Sequence, residues 1–139
     1  ILELSNGELE LSYRHSCIPE RGYIVLEAVL EFMPGEESMI REKMAELKKS
    51  RIEKQPLEFP SAGSVFKRPV DNFAAKMIDT AGLKGVSVGG AQVSEKHAGF
   101  IINKGNASCA DVLKLIGIVQ DTVYEKFGVH LETEVKLIR

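Results

Sequence analysis

Three places in this 139-residue sequence carry side chains whose types and spacing could do chemistry. The first begins at Ser61, where two serines and a glycine precede the basic pair Lys67 and Arg68. Such a loop can expose backbone N–H groups to an anion, and the two cations would add to the attraction. A polar connection before a helix has the same composition, and the GxxxxGK pattern of a phosphate-binding loop is absent. The residues alone leave both interpretations open.

The other two places are a glycine pair and one face of a strand near the C-terminus. Gly89 and Gly90 could let a ligand approach the backbone, although a tight turn between two strands is the commoner use of such a pair. Glu134 lies two residues from both Glu132 and Lys136, so the three side chains share one face of a strand. A solvated face with charge pairs explains them equally well. Spacing by itself selects no reaction.

The overall composition restricts the class of protein. Hydrophobic residues make up 44% of the chain and charged residues 27%, which is typical of a globular domain. The chain has 18 Lys and Arg against 20 Asp and Glu, so it lacks the basic excess that nucleic-acid or membrane-surface binding needs. No apolar run approaches the roughly 20 residues of a membrane-spanning helix. We therefore expect a globular protein that binds neither nucleic acid nor a membrane.

Cysteine and histidine spacing argues against a disulfide framework and a metal site. Cys17 and Cys109 form no CxxC pair, and two thiols in a chain of this length fit a reducing cytosol. The three histidines lack the HxxxH spacing that would place two imidazoles on one helical face. The sequence thus predicts a cytoplasmic protein without a bound metal.

The N-terminal part of the chain is predicted to contain strands followed by one helix. Alternating apolar and polar residues around an Asn-Gly pair predict a hairpin over residues 1–12, and a strand that ends at Leu4 is the alternative. Residues 23–32 are rich in apolar and β-branched side chains and predict a largely buried strand. Residues 36–52 predict a helix with acidic residues in its first turn and basic residues in its last. The apolar face of this helix consists of Ile40, Met44 and Leu47.

A break at residues 55–60, which contain two prolines, is the best candidate for a domain boundary. A loop is predicted over residues 61–69, a helix over residues 72–81 and a strand over residues 100–102. The core face of that helix consists of Ala74, Met77, Ile78 and Ala81.

The last part combines the clearest helix of the chain with a terminal strand. Ser108 and Asp111 have the spacing of a capping box, and an apolar stripe at helical spacing follows them. The stripe consists of Val112, Leu115, Ile116, Val119, Val123 and Phe127. Gly128 has the position of a left-handed C-cap, and residues 129–138 alternate as a strand would. Strands and helices mix without a regular βαβ rhythm, so we predict an α+β fold.

Four separated motifs of this chain occur in the same order in one enzyme family. They are Tyr-Arg-His-Ser at 13–16, Ser-Ala-Gly-Ser-Val-Phe-Lys-Arg-Pro at 61–69, Ala-Gly-Leu-Lys-Gly at 81–85 with Gly-Gly-Ala-Gln-Val-Ser at 89–94, and Leu-Glu-Thr-Glu-Val at 131–135. On these motifs the sequence resembles UDP-N-acetylenolpyruvoylglucosamine reductase over almost its whole length. Arg68 departs from the pattern, since many members carry asparagine there. The short stretch between residues 69 and 85 resembles the compact subtype of the family.

The resemblance implies a domain organisation. Residues 1–54 would be the C-terminal part of an FAD-binding domain, and residues 55–139 would be a substrate-binding domain. The glycine-rich flavin-binding lobe of the family has no counterpart in this sequence, and its first four residues read as a strand already under way. We therefore expect the chain to be the C-terminal piece of a longer protein and to lack activity by itself.

The resemblance also implies a reaction and its cofactors. In the family, NADPH reduces bound FAD, and the reduced flavin delivers a hydride to the methylene carbon of UDP-N-acetylglucosamine enolpyruvate, which gives UDP-N-acetylmuramate for peptidoglycan. A nucleotide-sugar-binding module without redox activity is the alternative for the chain as given.

By motif position, three residues would form the catalytic group. Ser64 would donate the proton, because a carbanion-like acceptor within hydrogen-bond reach makes transfer from a hydroxyl feasible. Arg14 would stabilise the negative charge that develops near the substrate carboxylate, and Glu134 would complete the triad. The expected contacts to the UDP diphosphate or sugar are Lys67, Lys84 and His97.

Overall fold

The structure, a computed structural model, describes residues 1–138 and divides into two compact units. The first unit is Ile1–Glu36, and the second begins at Glu37. Helices and a four-stranded antiparallel sheet make up the second unit, which confirms the predicted α+β class. Among the described residues, no helix combines the length and the apolar character needed to cross a bilayer.

The first unit does not contain the predicted hairpin or its alternative. Residues 6–10 form turns, and residues 1–4 are not paired as a strand with any described residue. One short helix follows, α1 (Cys17–Glu20), in which the buried Cys17 thiol donates to the carbonyl of Glu8 at 3.3 Å. The Asn-Gly pair does lie in a turn, but almost all flanking residues are exposed, so no buried face holds two strands together.

Residues 23–32 also form no strand with any described part of the chain, contrary to the prediction. Their large apolar side chains are exposed instead of buried: Ile24, Val25, Leu26, Val29, Leu30 and Phe32. A strand exists only through hydrogen bonds to a neighbouring strand, and the described residues supply none for this segment. The composition of residues 23–32 indicates side chains that favour burial, but the described residues do not bury them.

The second unit begins with a helix that the sequence predicted to within two residues at each end. This helix, α2 (Glu37–Lys54), carries ion pairs between Arg41 and Glu37 at 2.6 Å and between Lys43 and Glu46 at 2.8 Å. No residue of α2 is buried, and its predicted apolar face is exposed at Ile40, Met44 and Leu47. Local propensity and charge spacing therefore define α2 without a packed core.

Four short strands form the sheet in the order β1-β4-β3-β2. They are β1 (Ser61–Ser64), β2 (Ser87–Val88), β3 (Ala91–Val93) and β4 (Phe100–Asn103). The prediction of a loop over residues 61–69 is wrong at β1, where Ser61 lies opposite Ile102 and Ser64 lies opposite Phe100. Serine and glycine are weak strand formers, so pairing with the apolar β4 decides the conformation.

Two helices complete the core. α4 (Cys109–Phe127) packs against β2 and β3, and α3 (Ala74–Thr80) packs against α4. The predicted core face of α3 is confirmed, since all four side chains are buried: Ala74, Met77, Ile78 and Ala81. The predicted stripe of α4 is buried at Leu115, Ile116, Val119 and Val123. Phe127, at the end of that stripe, is exposed.

The ends of α4 follow the sequence signals. The Asp111 N–H donates to the Ser108 hydroxyl at 3.1 Å, and the Ser108 N–H donates to the Asp111 carboxylate at 2.9 Å. Gly128 ends the helix with a φ of 67°, in the left-handed region. The capping box and the glycine C-cap are therefore both confirmed.

The capping box should make part of the stability depend on pH. Hydrogen bonds from the Ser108 N–H, the Ser108 hydroxyl and the Gly90 N–H lower the pKa of Asp111 below its ordinary 3.8. A carboxyl with a lowered pKa contributes stability above its unfolded-state value and loses it as pH falls through its folded-state value. We expect Asp111→Asn to lower the urea midpoint near neutral pH and the gap to the parent to shrink progressively as pH falls below about 3.8. An equal difference in urea midpoint between parent and variant near neutral pH and well below pH 3.8 would contradict this expectation.

Gly90 allows a close backbone approach at the turn between β2 and β3. A Cβ atom there would overlap the carbonyl oxygen of Gly105 and lie 2.5 Å from the amide nitrogen of Ala107. We expect Gly90→Ala to lower the free energy of unfolding by about 1–3 kcal/mol or more, because the backbone has to move. Gly117 is a matched control inside α4 with open space around it, so Gly117→Ala should raise the free energy by about 1 kcal/mol. Shifts of the same sign in urea unfolding would refute this interpretation.

The predicted terminal strand over residues 129–138 forms only in part. It makes a single bridge, Phe66 to Thr133, and the chain bends at residues 134 and 135. The predicted alternation of faces is correct over most of the segment. The inward side chains are the buried Leu131 and the half-buried Val129, Thr133 and Val135, and the outward ones are the exposed His130, Glu132, Glu134 and Lys136. Leu137, which the predicted alternation places on the same face as Val135, is exposed.

Candidate functional site

Ser64 is the last residue of β1 and is exposed. It lies opposite Phe100 across the β1–β4 pair. The next residue, Val65, is buried, and its N–H donates to the carbonyl of Gly99 at 2.8 Å. The end of β1 is thus held against the start of β4, with the serine at the surface.

Glu134 lies on the segment that runs beside the end of β1. Its N–H donates to the carbonyl of Val65 at 2.8 Å, and the residue is exposed. Glu134 is therefore hydrogen-bonded to the residue that directly follows Ser64 in the sequence. The structure brings two predicted site residues from distant parts of the sequence to one edge of the sheet.

The anion-binding interpretation of residues 61–68 is wrong at two central N–H groups. The Val65 N–H donates to Gly99, and the Lys67 N–H donates to the carbonyl of Glu132 at 2.8 Å. The Gly63 N–H faces the Ser61 hydroxyl at 3.4 Å. An anion nest needs backbone N–H groups without other partners. This segment uses them to build the sheet edge instead.

The glycine pair at positions 89 and 90 forms the tight turn between β2 and β3, as the commoner interpretation predicted. Gly89 has a φ of 53°, and a Cβ atom there would lie 2.5 Å from Cγ of Asp111. The Gln92 side chain donates to the carbonyl of Gly85 and to the hydroxyl of Ser87, both at 3.0 Å. These contacts tie the β2–β3 hairpin to the segment that precedes it.

Lys67 and Lys84, two of the three predicted contacts to the UDP diphosphate or sugar, each form an ion pair. Lys67 Nζ lies 2.9 Å from Glu132 Oε2, and Lys84 Nζ lies 2.7 Å from Asp79 Oδ2. Half of the Lys67 side chain and a third of the Lys84 side chain are exposed. Pairs in such positions contribute about 0–1 kcal/mol, so a phosphate group could replace either carboxylate at little cost.

His97 lies in the turn between β3 and β4 and is half-buried. Its Nδ1 accepts the N–H of Gly99 at 3.1 Å, and its ring meets the Phe100 ring edge-on with centroids 4.9 Å apart. Its role as a substrate contact stays a prediction.

Arg14 belongs to the first unit, Ile1–Glu36. It has a φ of 58° within a turn in which Ser12 and His15 exchange backbone hydrogen bonds of 3.1 and 3.2 Å. Its guanidinium carbon lies 5.7 Å from the centroid of the Tyr13 ring. The convergence of Arg14 with the serine and the carboxylate of the second unit stays a prediction.

An apolar groove of about 560 Å³ lies beside the sheet edge. Ser61 and Ala62 line it from β1, Val135 lines it from the C-terminal segment, and side chains of β4 and α4 also contribute. Neither Ser64 nor Glu134 is among its lining residues. The groove is therefore next to the predicted site and not part of it.

Two features of this region carry no signal in the sequence. Val65 and Gly99 connect the site segments through backbone atoms, which every residue possesses. Arg68, which departs from the family motif, has its guanidinium carbon 4.0 Å from the centroid of the Phe73 ring. Only the folded arrangement identifies this cation–π contact.

These observations define an α+β domain that presents a serine and a carboxylate from adjacent segments at one edge of its sheet. Residues 55–138 match the family described as UDP-N-acetylenolpyruvoylglucosamine reductase, C-terminal domain. The chain belongs to this family, which confirms the resemblance found in the motifs.

Relatives match the chain over almost its full length. The UDP-N-acetylenolpyruvoylglucosamine reductase of Agathobacter rectalis is 60% identical over 135 residues, which cover 97% of this chain and 43% of that protein. The reductase of the same name from Clostridium tetani is 59% identical over 138 residues, covering 99% and 45%. The crystal structure of UDP-N-acetylenolpyruvylglucosamine reductase from Thermus caldophilus superposes with a TM-score of 0.76 and 36% identity, over 94% of this chain and 46% of that chain. The chain thus spans less than half the length of these relatives.

Proposed function

We propose that this chain is the C-terminal part of a cytoplasmic reductase that converts UDP-N-acetylglucosamine enolpyruvate into UDP-N-acetylmuramate for peptidoglycan synthesis. The observation that carries the proposal is the hydrogen bond from the Glu134 N–H to the Val65 carbonyl at 2.8 Å. It holds Ser64, the proposed proton donor, and Glu134, the proposed carboxylate, at one sheet edge of a domain of this family.

In this proposal residues 1–54 are the end of an FAD-binding domain and residues 55–139 are the substrate-binding domain. Exposed apolar side chains in residues 23–33, and separately along α2, support the division, because proteins rarely leave many large apolar side chains in water without a partner surface. The longer relatives agree with it, since this chain covers 43% and 45% of two of them. The remaining part of the complete protein would cover these side chains.

The described residues do not fit FAD by themselves. A dinucleotide pyrophosphate commonly binds at the free N-terminus of a helix. The N-terminus of α4 is occupied by its own cap, in which Asp111 accepts the Ser108 N–H, and α2 begins at Glu37. Both long helices thus place a carboxylate where a pyrophosphate would bind. We assign the flavin and the NADPH that reduces it to the complete protein.

The residues of this chain have distinct proposed tasks in the reaction. Ser64 gives its proton to the substrate carbon that bears the carboxylate, once a hydride has reached the adjacent methylene carbon. Arg14 stabilises the charge that develops on that carboxylate, because its planar fork can donate two parallel hydrogen bonds. Glu134 completes the triad at the sheet edge. Lys67 and Lys84 exchange their carboxylate partners for the diphosphate.

Flavin and substrate titrations on the complete protein and on this chain test the proposal. The complete protein should contain FAD that NADPH can reduce, and it should sustain continuous NADPH oxidation only when the enolpyruvyl substrate is present. The chain alone should bind little or no flavin. A complete protein that leaves the substrate unchanged overturns the reductase function. Tight stoichiometric FAD on the chain alone overturns the domain assignment.

The poor fit of the described residues to FAD also favours a second candidate for the isolated chain, a nucleotide-sugar-binding module without redox activity. Calorimetric titration with the reaction product tests this candidate directly. Product binding that is lost when Lys67→Ala and Lys84→Ala are combined in one variant would support this candidate. The absence of any binding heat would reject it.

A further inference from the structure

His97 stands at one end of a series of hydrogen bonds that runs through the proposed site. Its Nδ1 accepts the Gly99 N–H at 3.1 Å, and the Gly99 carbonyl accepts the Val65 N–H at 2.8 Å. The Val65 carbonyl in turn accepts the Glu134 N–H at 2.8 Å. Three hydrogen bonds therefore connect one imidazole with the segments that carry Ser64 and Glu134.

The imidazole is held firmly in its turn. The Phe100 N–H donates to the His97 carbonyl at 3.0 Å, and the two rings meet at an interplanar angle of 76°. Phe100 is also the residue opposite Ser64 in the sheet. On the other side, the N–H groups of Lys96 and His97 both donate to the hydroxyl of the buried Ser94 at 3.2 Å. The ring thus belongs to a hydrogen-bonded turn that leads into β4.

The absence of a side chain at Gly99 leaves space for this ring. A Cβ atom at Gly99 would lie 3.0 Å from Cε1 and 3.2 Å from Nδ1 of His97, and 3.4 Å from the Cβ of Ala75. Gly99 is buried, and a buried N–H group that loses its acceptor is costly. Without Nδ1, the turn would have to shift so that the Gly99 N–H found another partner. Val65 would move with it, since its N–H is bonded to the same glycine.

We propose that His97 is a positioning residue of the site. It acts through Nδ1 on Gly99, and through Gly99 and Val65 it sets the positions of Ser64 and Glu134. The proposal rests on the reductase function proposed above. It differs from the contact to the nucleotide sugar expected from the sequence, in which the outer nitrogen, Nε2, would be the atom that matters.

Asparagine and glutamine at position 97 separate these two roles. The asparagine oxygen occupies the place of Nδ1, and asparagine readily accepts the N–H two residues further along the chain. The glutamine amide instead reaches the place of Nε2. In the complete protein we expect His97→Asn to keep kcat close to the parent value. We expect His97→Gln to lower kcat by about 10- to 100-fold with little change in KM, because a misplacement of about 1 Å can cost 10²-fold.

His130 provides matched control variants in the same domain. It stacks on Tyr124 with centroids 3.9 Å apart and takes no part in the series of hydrogen bonds. His130→Asn and His130→Gln should therefore leave kcat unchanged.

Amide hydrogen exchange gives a second measurement that needs no activity. Peptides that contain Val65 and Glu134 should exchange faster in His97→Gln and at the parent rate in His97→Asn, while unchanged α4 peptides show that both variants are folded. Retention of kcat by His97→Gln, failure of His97→Asn to retain it, or unchanged exchange in His97→Gln each overturns the positioning role. A parent protein that does not convert the substrate refutes the proposed function instead, and the exchange comparison then decides on His97 alone.

Discussion

Replacing Ser64 with alanine in the complete protein is expected to slow the oxidation of reduced flavin by the enolpyruvyl substrate by about 10²–10⁴-fold. Flavin reduction by NADPH should keep its normal rate. The difference arises because only the second half-reaction leaves negative charge on a substrate carbon that then needs a proton. Without the serine hydroxyl, that proton has to come from water, which is not positioned for the transfer.

Stopped-flow absorbance measures the two half-reactions separately. Ser61→Ala is the matched control, because Ser61 lies on the same strand, is exposed, and its hydroxyl accepts a long 3.4 Å contact from the Gly63 N–H. It should leave both rates unchanged. If Ser64→Ala slowed both half-reactions equally, the serine would affect the site as a whole and would not be the proton donor.

The helices and the core could be predicted from the sequence because their signals are local. The Ser108 and Asp111 capping box uses residues three positions apart, and the buried stripe of α4 repeats within a few residues. Both signals can be recognised within one helix, without reference to distant parts of the sequence. The helical spacing wrongly predicted a buried Phe127, because the end of a helix is buried only if another element reaches it.

The strands could not be predicted in the same way because their existence depends on distant partners. Residues 23–32 have the composition of a buried strand and yet are exposed, since no described segment pairs with them. β1 shows the opposite case, in which serines and a glycine become a strand because the apolar β4 lies beside them. The alternation of residues 129–138 correctly predicted most of the faces and overestimated the pairing, which is limited to the bridge at Thr133.

The chemical groups of the candidate site could be predicted, but their connections could not. The motifs identify Ser64 and Glu134 by side-chain type. The contacts that join them run through the backbone of Val65 and Gly99, and backbone atoms carry no sequence signal. The glycine at position 99 is the one visible trace, because a side chain there would meet the His97 ring. Backbone geometry and not residue type therefore assembles this edge.

Arg14→Lys in the complete protein is expected to lower kcat by about 10²–10³-fold, although the positive charge is kept. An ammonium group lacks the planar fork that donates two parallel hydrogen bonds to a carboxylate, and that fork is the proposed source of transition-state stabilisation. Lysine and arginine have the same backbone requirements, so the left-handed φ of 58° in the turn should be equally tolerated. Circular dichroism should confirm an unchanged fold.

Arg21→Lys is the matched control in the same unit, because Arg21 is partly exposed and its guanidinium pairs with the exposed Glu10 at 2.7 Å. Such a pair contributes little, so its kcat should stay at the parent value. Steady-state kinetics with saturating NADPH and enolpyruvyl substrate gives kcat and KM for both variants. A loss confined to KM would mean that Arg14 binds substrate and transition state equally, whereas a loss in kcat places its contribution in the transition state. Unchanged turnover in Arg14→Lys would remove the arginine from the proposed triad and leave the serine and the carboxylate as its members.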